Sequence, residues 1–200
     1  MGSNSSLLLY SLIEDILDLS KLEAGTFKTS ISSFSVVDVM DEVAEVFEFQ
    51  CAQKRLKLNI DVDYRLQDVK VESDRGRIKQ VLLNLMSNAF KFTFAGSISM
   101  SAKVCDDRQI EFCVSDTGIG IKQDNMRKLF TLFAMFDDNK EINPHGCGIG
   151  LTVSKKYIEK LGGSIWVESE FEEYTKVVFK IPFITKSVIK DNFIDLNEEE

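Results

Sequence analysis

Apolar residues recur along this chain at two distinct periods, and the alternation between them sets out an ordered series of helices and strands. Leu9, Leu12, Ile13, Ile16, Leu19 and Leu22 follow one another at steps of three and four, one stripe of a helix that Gly25 ends. A helix lying on its own domain and a helix taken from a dimeric bundle explain that stripe equally well. Phe27 to Ile31 reads as a strand, and Phe34 with Ser35 opens a second helix whose Val39, Val43, Val46 and Phe47 form a buried face. Strands are predicted at Leu56 to Val62 and Val69 to Glu72. Asp74 then stands as N-cap of a helix from Arg75 to about Lys91, with Ile78, Val81, Leu82, Leu85, Met86 and Ala89 at helical period.

The second half continues in the same manner. Ser97 to Val104 and Gln109 to Val114 read as paired strands turning at Asp106 and Asp107, with Asp116 at the exit of the second. A short helix at Gln123 to Phe130, a polar loop at 137–147 and a helix at Ile149 to Leu161 follow. Strands at Ser164 to Glu168 and Thr175 to Ile181 close the series, and residues 186–200 form an acidic tail expected to fray.

Composition narrows the function classes. A chain of 200 residues that is 44% hydrophobic can bury the core of one domain. Its net charge of −8 argues against general nucleic-acid binding, which needs clustered Lys and Arg, so any anion site must be local. Cys51, Cys105, Cys113 and Cys147 form no CxxC pair, which disfavours structural zinc or a disulfide scaffold and fits a reducing cytosolic setting. Residues 7–19 include Glu14, Asp15 and Asp18 and hold no apolar run able to cross a bilayer, so the segment is expected to be soluble.

The chemistry lies between Gln80 and Thr152. Asn84, Asn88 and Lys91 fall on one side of their helix, where amide oxygens can meet a hard cation and an ammonium can meet phosphate. Two asparagines alone would be a solvated polar face. Asparagine is a poor helix former, however, and two glycine loops downstream shift the balance toward a site. Asp116 precedes Thr117-Gly118-Ile119-Gly120, a turn that lets backbone approach a flat ligand while the carboxylate accepts from an exocyclic amine; alone it would pass for an Asx turn. Gly146, Gly148 and Gly150 run straight into a helix whose N-terminal N–H groups can receive phosphate oxygens, which a flexible linker would not explain. Phe130, Phe133 and Phe136 read as the packed base of a mobile lid from which Lys140 could reach phosphate.

These motifs carry a family resemblance over nearly the whole chain. Gln80 to Thr93 resembles the N box of sensor histidine kinases, 116–120 their first glycine box, Leu129 to Phe136 their F box and 146–151 their second glycine box. The resemblance implies the ATP-binding fold shared with gyrase, a heat-shock chaperone and mismatch-repair ATPases: a two-layer α/β sandwich, mixed sheet on one side and helices on the other. It implies ATP and Mg2+ as ligands, with Asn88 the principal magnesium ligand, Asn84 a supporting metal or phosphate contact and Lys91 on phosphate. Phe92 would lie beside the base, Asp116 would accept from the adenine amino group, and Gly118 and Gly120 would shape that wall. Gly146, Gly148, Ile149, Gly150 and Leu151 would serve the phosphates at the lid hinge, and Thr175 resembles the hydroxyl residue behind adenine.

The same resemblance divides the chain into residues 1–25, the end of the second helix of a dimerisation and phosphoacceptor hairpin, a catalytic domain at 26–185 and the tail at 186–200. It implies γ-phosphoryl transfer to a histidine on that hairpin, a response-regulator receiver domain as downstream partner, and a homodimeric parent, of which the hybrid and the membrane-bound types are both compatible. The alternative is a nucleotide-binding interaction module without phosphotransfer. Its support is Glu170-Phe171-Glu172-Glu173-Tyr174, standing where the family has a last glycine-rich turn. Hydrolytic relatives place a glutamate where this chain has Asn84, so hydrolysis should be slow. His145, the single histidine, lies in the lid and is not expected to be the phosphoacceptor.

Overall fold

The computed structural model describes residue 13 and residues 16–105, 108–134 and 148–185. Helix α1 covers 16–23 and stops where Gly25 takes φ 69°, with the Thr26 and Phe27 amides both donating to the Lys21 carbonyl. Its apolar stripe is divided. Leu22 and Asp18 are buried against the body, while Ile13, Ile16 and Leu17 stay about half exposed, at 47, 49 and 53%.

The expected strand at Phe27 to Ile31 is not one. That stretch is extended but unpaired in any sheet, because it is held by side chains: the Ser30 amide donates to Asp74 Oδ2 at 2.8 Å and Phe27 packs its ring on Tyr157. The strand begins later, at β1 (Ser32–Ser35), where Ser35 also caps α2 (Val36–Gln53) by accepting from the Asp38 amide. Val36, Val39, Met40, Val43, Phe47 and Cys51 set the buried stripe of α2, which leaves Val46 beyond its edge and 47% exposed, contrary to expectation.

Five strands form the main sheet. β2 (Lys57–Val62) lies parallel to β4 (Ser97–Cys105), and β5 (Gln109–Asp116), β7 (Tyr174–Pro182) and β6 (Ser164–Glu170) continue antiparallel, in the order β2-β4-β5-β7-β6. A small second sheet, absent from the sequence reading, pairs β1 with β3 (Lys70–Ser73) and β3 with β8 (Ile184–Thr185). Helices α2, α3 (Arg75–Phe92) and α5 (Gly150–Lys160) cover one face of the main sheet. Between the layers sit Ile98, Met100, Ile110, Phe112, Val114, Phe179 and Ile181, with the Phe112 and Phe179 rings stacked at 4.8 Å. This is the expected two-layer α/β sandwich with a mixed sheet.

Helix α4 (Gln123–Met126) is shorter than the predicted Gln123 to Phe130. It buries no residue and has no side-chain cap, so nothing sustains it past one turn. Leu129 is buried just beyond it, whereas Phe133 is 67% exposed with φ 60° and does not pack as an anchor. Leu9, Leu12, the turn at Asp106 and Asp107, Phe136, the loop at 137–147 with Lys140, His145, Gly146 and Cys147, and the tail at 186–200 lie outside the described residues.

Candidate nucleotide-binding site

α3 is the spine of the site. Asp74 caps it doubly, accepting from the Arg77 amide through Oδ1 and from Ser30 through Oδ2, and six apolar residues from Ile78 to Ala89 seat one face in the core. The opposite side leaves Asn84, Asn88, Lys91 and Phe92 half-buried.

At the C-terminal end of α3 the first glycine loop is locked in place. The Ile119 amide donates to the Phe92 carbonyl at 3.2 Å, and a Cβ on Gly118 would collide with that same carbonyl and with Asp116 Oδ1. Gly120 takes φ 61°, and a Cβ there would strike the Glu170 carbonyl. Asp116 is 6% exposed; the Gly118 amide at 2.9 Å and the Thr93 hydroxyl at 3.3 Å both bond its Oδ1, so among the described residues Oδ2 has no donor. Burial pushes the Asp116 carboxyl up to about 6, against the lowering effect of those two hydrogen bonds. Thr175 sits opposite Asp116 in the β5–β7 ladder, and its Oγ1 lies 3.1 Å from Ser169 Oγ, which in turn accepts from the Ile121 amide.

The other end is built between α3 and the start of α5. Asn84 donates through Nδ2 to Ser154 Oγ at 3.0 Å, and its Oδ1 lies so close to Gly150 that no side chain fits there. Asn84 thus clamps two helices together rather than standing free. Asn88, one turn further along α3, makes no side-chain hydrogen bond among the described residues. Burial alone lowers the Lys91 ammonium below its ordinary value, and no carboxylate among the described residues pairs with it. Ile149 precedes α5 without a side-chain cap, so no capping side chain takes up the first N–H groups of the helix, and Thr152 Oγ1 is buried with no partner among the described residues. Gly148, at φ 63°, accepts from the Phe133 amide at 3.1 Å and so closes the base of the loop between them; a Cβ on it would come within 2.8 Å of Ala134 backbone.

The structure therefore brings together Asp116, Gly118, Gly120, Phe92 and Thr175, with Lys91 beside Phe92, at one end and Asn84, Gly148, Ile149, Gly150 and Leu151 at the other, with Asn88 between. Lys140 and Gly146 lie outside the described residues. Four hydroxyls were missed: Thr93 behind Asp116, Ser169 behind Thr175, Ser154 holding Asn84, and Thr152. Thr93 ends the motif stretch and was legible; the other three look like ordinary helix and strand residues until the fold juxtaposes them.

An arrangement of a buried acceptor, a half-buried ammonium that pairs with no carboxylate among the described residues and an uncapped helix start is suited to a base joined to a polyphosphate. Comparison with known proteins agrees with it. The profile of the family described as histidine kinase-, DNA gyrase B-, and HSP90-like ATPase matches residues 73–185. The chain is 38% identical over 178 residues to hybrid signal transduction histidine kinase B of Dictyostelium discoideum, covering 87% of this chain and 9% of that protein. It is 36% identical over 165 residues to sensor protein GacS of Pseudomonas syringae pv. syringae, covering 80% and 18%. Full-length ShkA in complex with AMPPNP superposes with a TM-score of 0.79 at 29% identity, over 92% of this chain and 37% of ShkA. The nucleotide-free catalytic domain of histidine kinase ThkA superposes at 0.66 and 28% identity, over 77% of this chain and 98% of that domain. The chain belongs to the histidine kinase-, DNA gyrase B-, and HSP90-like ATPase family, as an ATP-binding catalytic domain of the sensor histidine kinase type.

Proposed function

We propose that this domain binds ATP with Mg2+ and directs its γ-phosphoryl group to a histidine on a helical hairpin of the parent protein. The observation that carries the reading is that α3 holds the Asp116 loop against its C-terminal end and the uncapped start of α5 against Asn84 two turns back, with an ammonium at Lys91 that pairs with no carboxylate among the described residues. Asp116 Oδ2 accepts from the adenine amino group, with Phe92 and Thr175 beside the base. Lys91 and the N–H groups of Gly150 and Leu151 meet phosphate oxygens; Gly146, Ile149 and Lys140 are assigned to the same end. Thr152, buried on the first turn of α5 with no partner among the described residues, fits a site completed by ligand.

The donor set also fits Mg2+. Among the described residues no cluster of three His, Cys, Asp or Glu could cage a metal, whereas a single amide oxygen beside phosphates suits an ion that takes most of its ligands from nucleotide and water. Asn88 is the metal ligand in this reading and Asn84 its neighbour, committed to Ser154. Bound there, the ion would neutralise phosphate charge. The chain's own groups orient the triphosphate, and no carboxylate stands at position 84 to activate water, so the γ-phosphorus is kept for an external nucleophile. In that transfer a histidine nitrogen forms an N–P bond, the bond from the γ-phosphorus to the bridging oxygen breaks, and ADP departs with that oxygen. The hairpin of a homodimeric parent, membrane-bound or not, is the acceptor. A receiver domain as next partner is supported by the complex of ThkA with response regulator TrrA, similar to this chain at a TM-score of 0.67.

Calorimetry with Mg2+ and a nonhydrolysable ATP analogue tests binding. Labelled ATP supplied to this chain with and without the parent hairpin tests transfer: label is expected on the hairpin and absent from His145. Tight binding without any label on the hairpin would favour the interaction-module alternative.

A further inference from the structure

The carboxylate that ties α1 to the body of the domain is Asp18. It is 6% exposed, and its Oδ2 accepts from Arg77 Nη1 at 2.6 Å and from the Tyr157 hydroxyl at 2.7 Å. Lys21 approaches Oδ1 at 3.4 Å. Arg77 also donates to Tyr157 at 3.1 Å and to Gln80 at 2.8 Å, and its guanidinium lies against the contacting rings of Phe27 and Tyr157, 5.0 and 4.8 Å from their centroids. Glu23 adds a contact to Lys156 at 3.8 Å, and Ser30 is pinned to Asp74 beyond the Gly25 turn. Burial would raise the Asp18 carboxyl, but the Tyr157 hydroxyl and then Arg77 outweigh it and hold it below its ordinary value.

The placement of these partners has a mechanical consequence. Arg77 belongs to α3 and Tyr157 to α5, and they meet at one end of an antiparallel helix pair whose other contact is Asn84 against Gly150 and Ser154. On α3 the two contact points, 77 and 84, are two turns apart, about 10 Å; on α5 Gly150 is two turns from Tyr157 and Ser154 one turn. One end of the pair therefore grips α1, and the other frames the phosphate end of the nucleotide site. A change of α3–α5 spacing at one end is felt at the other, because both helices are seated in a packed core.

We infer that Asp18, Arg77 and Tyr157 are positioning residues that couple docking of α1 to nucleotide binding. The inference rests on the nucleotide reading of the site. Docked α1 holds α3 and α5 at the spacing that receives the phosphates, and by linkage bound nucleotide tightens the docking of α1 by the same factor.

The test uses the whole chain, with Mg2+ and a nonhydrolysable ATP analogue. In wild type, saturating analogue is expected to slow amide exchange in residues 16–24 by about 5-fold, and Asp18→Asn to weaken analogue affinity by about the same factor. Tyr157→Phe removes one donor while keeping the ring stack, so it should fall between the two and remain folded. A purely structural latch would change stability without making α1 exchange respond to nucleotide. Wild type that binds analogue with no change in α1 exchange, or folded Asp18→Asn with unchanged affinity, would overturn the coupling alone. Wild type that binds no analogue would overturn the nucleotide reading and the coupling with it.

Discussion

Replacing Asp116 by Asn should make the domain more stable and worse at its task, with a pH signature that identifies the cause. The Asp116 carboxyl is raised from 3.8 to about 6 by burial, a difference worth about 3 kcal/mol between its two protonation states. Because the folded value is raised, the favourable contribution of the neutral acid is complete below 3.8 and is lost as pH rises through about 6. Above that pH the folded protein carries an ionised carboxylate in a site that favours the neutral form. The amide introduced by Asp116→Asn keeps an oxygen for the Gly118 N–H and the Thr93 hydroxyl but never ionises. The variant's stability should match wild type near pH 4 and exceed it by up to about 3 kcal/mol at pH 8. Urea unfolding of both proteins from pH 4 to 8 measures this. Asp18 and Glu42, whose folded values are lowered, weaken both proteins alike in acid and cancel in the difference. In the nucleotide reading proposed above, the same substitution turns an acceptor for the adenine amine into a donor, which would remove a charged hydrogen bond worth about 1.5–3 kcal/mol, or roughly 10- to 150-fold in affinity. Selectivity for ATP over GTP should fall with it. A stability difference independent of pH, or a variant less stable than wild type at pH 8, would refute the argument.

Asn88→Ala should remove most of the Mg2+-dependent part of ATP affinity while leaving unfolding within about 1 kcal/mol of wild type; calorimetry with Mg2+ and with EDTA separates the two. Gly150→Ala places a methyl onto Asn84 Oδ1, so it should destabilise the α3–α5 contact by about 1–3 kcal/mol and weaken nucleotide binding, both read by melting with and without ATP. Glu172 occupies φ 67° in the β6–β7 turn, so Glu172→Gly should raise stability by up to about 1 kcal/mol without changing nucleotide affinity; a loss of stability would show that the side chain itself holds the turn.

The helices and central strands were legible because period and capping agree there: Asp74, the stripe from Ile78 to Ala89 and the alternation of β4 and β5 all point the same way. The misreadings share one physical origin. Phe27 to Ile31 has strand-like residues, but the groups that hold it, Asp74 and Tyr157, come from 44 and more residues away, which no local pattern records. Val46 and Phe133 are apolar residues left exposed by the edge of a stripe and by a left-handed turn. The small sheet depends on β8, two residues long and too short to carry a period. Glu170 to Tyr174 lacks the glycine expected of its turn, yet the hairpin closes with Glu172 in the left-handed region and its amide on the Ile119 carbonyl at 2.8 Å. The turn thus keeps its hold on the first glycine loop.

Among the candidate residues, those that are easiest to misjudge from sequence are also those the fold leaves unsatisfied. Lys91 is half-buried and, among the described residues, has no acid beside it and Thr152 no partner, while Asp116 is pushed toward protonation and α5 begins without a side-chain cap. Each departure is unfavourable in the free protein. They lie on α3, α5 and the strand β5, and Lys91 and Asp116 form no ion pair with each other. A fold selected for stability alone would have brought the ammonium and the carboxylate together or replaced both with apolar residues. Asn84 makes the contrast, since its Nδ2 is taken by Ser154 Oγ and ties α3 to α5. The site is therefore a division between groups that fix geometry and groups held open for charge. A ligand carrying an amine-bearing base at one end and phosphate charge at the other satisfies the open set in a single binding event.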